Sequence, residues 1–301
     1  MRSGTRTLAV AGMVALASAG AVACGSGGTS GPAAGRATGG SAGAGRIVQT
    51  AYTTTTREKT TAFRLDETIQ SKTSGGSSQH ITITGQGQEN LVTRSSTATM
   101  NLPTGGAVKM VVAGGTEYIQ LPPSQRSQVP GHKPWVSVNL NKVSQARLGA
   151  SFSQLSSVSS DDPTQVLSQL SAVSSHVSRV GSATVAGVPT TEYRAQVDLY
   201  KVAARTQAKD GAQAAQAVRE EIKTLGTASL PVDVWIGSGH LVRQISFQAP
   251  IPAGSSSGAS GGARVTATMT FTGFGAPVDV SPPPASQTAD ITSELLQSAK
   301  A

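Results

Sequence analysis

The sequence predicts an α+β protein that is mainly antiparallel β, and three observations predict it. Apolar side chains recur at every second residue along most of the chain after position 60. Clusters of Gly, Ser and Pro interrupt these runs at short intervals. Helical periodicity, at three and four residues, is confined to a few stretches.

The chain opens on Arg2 and Arg6, and Leu8 to Ala23 is apolar or small throughout. The run ends in Ala21-Val22-Ala23-Cys24-Gly25, and Cys24 is the only cysteine. A basic start, a short apolar run and small residues at the cut describe a secretory signal, too short to span a bilayer. A cysteine directly behind such a cut, with Ala21 and Ala23 before it, resembles the lipobox of bacterial lipoproteins. That resemblance implies a signal peptide over residues 1–23 and a diacylated thiol at Cys24, whose freed amine can take a third chain. Two or three acyl chains exceed the single-chain limit for stable attachment. The implied location is the cell membrane, lipid-anchored at the extracytoplasmic face. The plain alternative is a secreted protein with an incidental cysteine; a lone thiol in an oxidising compartment invites mispairing.

Residues 24–45 carry that cysteine and a Gly/Ser-rich stretch, GSGGTSGPAAGRATGGSAGAG, without one large apolar side chain. Such a segment cannot bury enough surface to offset its ordering entropy and reads as a tether with a reach of roughly 25 Å. Residues 46–285 then form one β-rich domain, and 286–301 a helical or frayed tail. Removing residues 1–23 takes away two arginines and no acid, leaving 22 basic against 16 acidic residues, a net charge of +6. The basic residues are scattered singly, with no zinc spacing or aromatic RNA-binding motif, so no nucleic-acid partner is expected. A modest positive charge suits a protein held near anionic lipid.

Taken in order, the expected strands carry Phe63/Leu65/Ile69, Ile81/Ile83, Ala98/Met100/Leu102, Val108/Met110/Val112, Ile119/Leu121 and Val136/Val138/Leu140. Val232-Asp-Val-Trp-Ile236, a Gly237-Ser-Gly-His240 turn and a return run with Leu241, Ile245 and Phe247 predict a hairpin. Val265-Thr-Ala-Thr-Met-Thr-Phe271 puts every apolar side chain on one face and threonines on the other. Short connections between sequential strands imply an antiparallel meander with one dry face.

Four helices are expected. Asp161-Asp162-Pro163 reads as a cap with proline in the first turn, and Val166, Leu167, Leu170, Val173, Val177 and Val180 follow as an apolar stripe. A second helix runs from about Tyr200 to Leu225, weakened at Gly211; 46–58 and 141–156 are short ones.

A long antiparallel sheet with one apolar face needs a cover that these helices supply only in part. Either the sheet curls into a half-barrel around them, or a hollow is left for something else to fill; a filled core is the plain alternative. The aliphatic inner surface suits acyl chains. The candidate lining is Phe63, Leu65, Ile83, Met100, Met110, Val112, Ile119, Leu170, Val234, Ile245, Phe247, Met269 and Phe271.

Six collinear stretches over residues 46–285 resemble the LppX/LprG-type lipoproteins of actinobacteria. They are Gly115-Thr-Glu-Tyr-Ile-Gln-Leu-Pro122, Trp135-Val-Ser-Val138 and Asp162-Pro163 with Leu167 and Leu170. Val185-Ala-Gly-Val-Pro-Thr-Thr-Glu-Tyr193, Leu230-Pro-Val-Asp-Val-Trp-Ile236 with Leu241-Val-Arg243, and Met269-Thr-Phe-Thr-Gly-Phe-Gly275 complete the series. The resemblance implies a LolA/LolB-like fold, a strongly curved incomplete β-barrel with a few helices covering its open side. It also implies an acylated lipid or glycolipid ligand in the hollow, an envelope transport partner, no cofactor and no catalytic residues. The high Ser/Thr/Gly content and the Gly/Ser insert at 253–262 depart from that family.

Other chemistry finds little support. Gly254-Ser-Ser-Ser-Gly258 matches G-x-S-x-G, but it lies in a Gly/Ser loop between strands, where a nucleophile elbow needs a strand before and a helix after. His80, His132, His176 and His240 lack metal spacing, and no metal site is expected. Arg219-Glu220-Glu221 with Lys223 reads as a wet helix face. The expectation is therefore a non-enzymatic carrier, with a scaffold or sensor of filled core as the alternative.

Overall fold

The computed structural model describes residues 41–72, 77–103, 106–146, 174–251 and 263–298. The expected signal peptide, Cys24, most of the tether, Asp161-Asp162, Leu170 and the Gly254–Gly258 motif lie outside them.

Twelve strands form one sheet: β1 (Thr60–Lys72), β2 (Ser78–Asn90), β3 (Ser95–Asn101), β4 (Ala107–Ala113), β5 (Thr116–Gln120), β6 (Trp135–Asn139), β7 (Ser174–Val185), β8 (Val188–Asp198), β9 (Ser229–Gly237), β10 (Val242–Ile251), β11 (Ala263–Thr272) and β12 (Thr288–Asp290). Their order is β12-β6-β5-β4-β3-β2-β1-β11-β10-β9-β8-β7. Two antiparallel meanders, β1 to β6 and β7 to β11, are joined through β1 and β11, which pair over ten residues from Ala62–Thr272 to Ser71–Ala263. The sheet is curved and unclosed, with β12 and β7 as its edges, which is the α+β, mainly antiparallel class that the alternation predicts. The tail departs from expectation. Its β12 adds to β6 in parallel, Thr288 beside Trp135, before a short helix, α5 (Thr292–Ser298).

The remaining helices are α1 (Ser41–Arg57), α2 (Leu140–Ala146), α3 (Leu199–Asp210) and α4 (Ala212–Leu225). Helix α1 begins five residues before position 46, within the stretch that reads as tether. Asp198 caps α3, its Oδ1 accepting from the amides of Tyr200 and Lys201 at 3.0 and 3.1 Å. Gly211 breaks the expected 200–225 helix in two. Its φ of 94° and ψ of 174° are open to glycine and strained for L side chains.

One expected helix is partly a strand. Val177 and Val180 belong to β7, not to a helix running on from Asp161. Two register shifts, at Ser174/His176 and Arg179/Gly181, break the alternation there. Val177 faces the core, whereas Val180 is the extra residue of the second shift and is exposed. A similar shift between Val242 and Gln244 corrects the β10 pattern: Val242 is fully buried, and Leu241 is only half-buried.

The sheet has two ends. At the upper end β1 passes into β2, β8 into α3 and β10 into β11; at the lower end lie the β2–β3, β4–β5 and β9–β10 turns. Helix α1 runs down the concave face from one to the other. Its Gly45 lies over Val177, and the Thr55 hydroxyl accepts from the Val242 amide at 2.9 Å. It packs on β7, β9 and β10. The larger core gathers Val48 and Ala51 of α1 with the inner side chains of β1 and β7 to β11 and the buried face of the α3–α4 hairpin. A smaller core holds Val108, Ile119 and Val136, with Leu102, Met110 and Leu121 packed against it.

Candidate functional site

Strand registers put the twelve described candidate residues on one face. Phe271, Phe63, Gly87, Ala98, Met110, Ile119 and Val136 stand in one cross-strand row. Ile245, Met269, Leu65, Gly85, Met100 and Val108 form the next row up. Phe63, Leu65, Val234, Ile245, Phe247, Met269 and Phe271 are packed into the larger core, and Ile119 into the smaller. Val112 is buried, while Ile83, Met100 and Met110 are half-buried.

Exposure on this face changes along each row. In the row Ala249–Val265–Ile69–Ile81 it rises from 5% at Ala249, beneath the helices, through two half-buried aliphatics to 41% at Ile81. The row below runs Phe247–Ala267–Glu67–Ile83 with the same trend. The concave face is thus a packed core on the β7–β11 side and an open aliphatic stripe at the upper ends of β1 to β3. Ile69, Ile81 and Ile83 make that stripe, bordered by Met100 and Val265, which pack on the larger core, and by Leu102, which packs on the smaller.

Two glycines shape its floor. Gly85 and Gly87 of β2 occupy inner positions where a side chain would collide with Met100 and Phe63. Lacking a Cβ, they let the Met100 thioether and the Phe63 ring lie across the strand. The floor is therefore built from neighbouring strands leaning inward, with one adaptable thioether among stiffer groups.

Carboxylates on this face were not among the candidates. Glu67 stands between Ala267 and Ile83, half-buried, and burial raises its pKa above the usual carboxylate range. Lower down, Glu89, Ser96, Val112 and Glu117 share a row, and both glutamates are buried. The signal was present: each glutamate occupies the apolar phase of its strand, two residues from Leu65, Gly87 or Ile119.

The chemistry available is that of an apolar surface with one half-buried carboxyl. All four histidines are exposed, and among the described residues no three His, Cys, Asp or Glu side chains are grouped to hold a metal. No described helix is long and apolar enough to cross a membrane.

No family model matches the chain. A stretch of 169 residues, 56% of the chain, is 27% identical to an uncharacterized 31.2 kDa protein in the rplA-rplJ intergenic region of Streptomyces griseus. The chain spans about half of that relative, 51% of its length. Among solved structures, the chain is similar to the lipoprotein LppX of Mycobacterium tuberculosis at 13% identity and a TM-score of 0.48, over 79% of this chain and 98% of that one. It is similar to LprF of Mycobacterium bovis at 12% identity and a TM-score of 0.41, over 82% and 99%. A LolA superfamily protein of Nitrosomonas europaea follows at 7% identity and a TM-score of 0.27, over 81% and 96%.

Proposed function

We propose that this chain is a non-enzymatic, membrane-anchored protein that binds the acyl chains of a lipid or glycolipid on its concave face. The observation that carries the reading is the exposure gradient along the inner rows. A folded domain that buries most of an apolar face and leaves a stripe of it open between two cores has a surface suited to an apolar ligand. Each buried methylene contributes about 0.8 kcal/mol, so two acyl chains suffice for tight retention. Acylated Cys24 would hold the domain at the extracytoplasmic face of the cell membrane, within reach of its cargo and of an envelope transport partner.

Native mass spectrometry of mature protein purified gently from its host tests this. Stoichiometric lipid released on denaturation is the expected result, and Met100→Glu, at a half-buried position, should lower it without loss of fold. Protein that is empty under those conditions would overturn the reading. The close packing of Phe63, Leu65 and Phe271 favours the other reading, a scaffold acting through surface contacts, and empty protein is what that reading expects.

A further inference from the structure

We propose that the upper end of the sheet docks directly on an anionic lipid bilayer, so that the open aliphatic stripe faces the membrane. Three observations at that end converge. The first is where the chain enters: α1 starts there, with Gly45 over Val177, and the segment leading back to Cys24 joins at Ser41. Helix α1 is about 25 Å long, so the upper end is the nearer of the two ends to the point where that segment joins.

The second observation is apolar exposure. Ile81 is 41% exposed at the start of β2, and Tyr200 is 54% exposed at the start of α3. An exposed aliphatic and a tyrosine ring with a polar tip suit the boundary between acyl chains and headgroups. The third is charge. Arg46 in the early turns of α1, Lys201 and Arg205 on α3, and Arg264 at the start of β11 are all exposed. Among described residues at this end, the exposed Glu220 is paired with Lys223 at 2.9 Å. Such cations are drawn to anionic headgroups.

The lower end is the competing surface and the control. It carries exposed Arg57, Lys59 and Arg94 with Val92, and among the described residues no open inner stripe. The location of the stripe rests on the structure; that cargo passes through it rests on the function proposed above.

The test uses the mature chain carrying Cys24→Ala, removing the anchor, in co-sedimentation with phosphatidylcholine vesicles containing or lacking phosphatidylglycerol. The unsubstituted surface should bind the anionic vesicles only. At roughly fivefold per cation, Arg46→Glu/Lys201→Glu/Arg205→Glu should lower binding more than tenfold. The lower-end triple Arg57→Glu/Lys59→Glu/Arg94→Glu should change it less. Tyr200→Ser, a neutral change at an exposed ring, should weaken binding severalfold, and thermal melts check that each variant folds. No binding by the unsubstituted surface, or a larger loss in the lower-end triple, overturns the proposal. Lipid content of the same preparations separates the two readings. Cargo retained with docking absent sinks the docking surface alone, and docking retained with empty protein sinks the carrier alone.

Discussion

The ring of Phe63 fills the space that a side chain at position 87 would need: a Cβ on Gly87 would stand 2.6 Å from Phe63 Cζ and 2.9 Å from Cε1. The Thr97 carbonyl crowds the same point from the backbone, which cannot yield cheaply. Gly87→Ala should therefore cost about 1–3 kcal/mol through overpacking. Gly85→Ala meets chiefly the Met100 thioether, which can swing aside, and should cost less. Denaturant midpoints of the two variants rank them; equal losses would contradict the close approach of ring to strand.

Thr55 ties α1 to the sheet. Its hydroxyl accepts from the Val242 amide beside the β10 register shift, in a buried setting. Thr55→Val keeps the volume and leaves that amide without its acceptor, at a cost of about 1–3 kcal/mol. Thr55→Ser should recover most of it. Urea unfolding reads the stability, and hydrogen exchange at Val242 should speed up in the Val variant alone.

Glu67 sets a pH dependence. Burial raises its folded pKa, so the folded state holds the proton more firmly than the unfolded chain. The stabilisation linked to this proton is complete below the unfolded carboxyl value, about 4.3, and fades as pH rises through the folded value. Glu67→Gln removes the titration, so its melting temperature relative to the parent should climb over that window and then level off. A difference that stays flat from acid to neutral pH would rule out the desolvated carboxyl.

Asp290 should act with the opposite sign. The Thr292 hydroxyl donates to its Oδ1 at 2.5 Å and the Thr292 amide at 2.9 Å, which with Lys142 holds the carboxyl below its usual range. Its contribution is present above the unfolded value, about 3.9, and is lost as pH falls through the folded one. Asp290→Asn should flatten the acid limb of a melting-temperature profile. Thr292 also accepts from the Asn139 amide at 2.9 Å, so Thr292→Val should loosen the tail from β6 at about 1–3 kcal/mol. Faster proteolysis at the C-terminus would report that release.

Much of the sheet can be read from alternation alone. Val232 to Ile236 and Val265 to Phe271 show their inner faces in the residue string, because which face a side chain meets depends only on its place in a two-residue repeat. Bulges defeat the same rule. At Val177 and Val180 two register shifts leave valines three apart, which imitates a helical stripe. In β10 the extra residue, Arg243, moves the inner position from Leu241 to Val242. The glutamates of the inner face are not legible in the string, because a polar residue in the apolar phase looks like an interruption until the pairing shows its neighbours.

Local chain chemistry thus specified most of the strands and turns, the weak point at Gly211 and the aliphatic character of the inner face. It could not specify that β1 meets β11 some two hundred residues away, that the tail adds a parallel strand, or that α1 lies over β7, β9 and β10. Those pairings decide which inner side chains become core and which stay open, since Leu65 and Ile69 share a strand and a phase yet differ in burial. Coverage belongs to the assembled layers, not to any single segment.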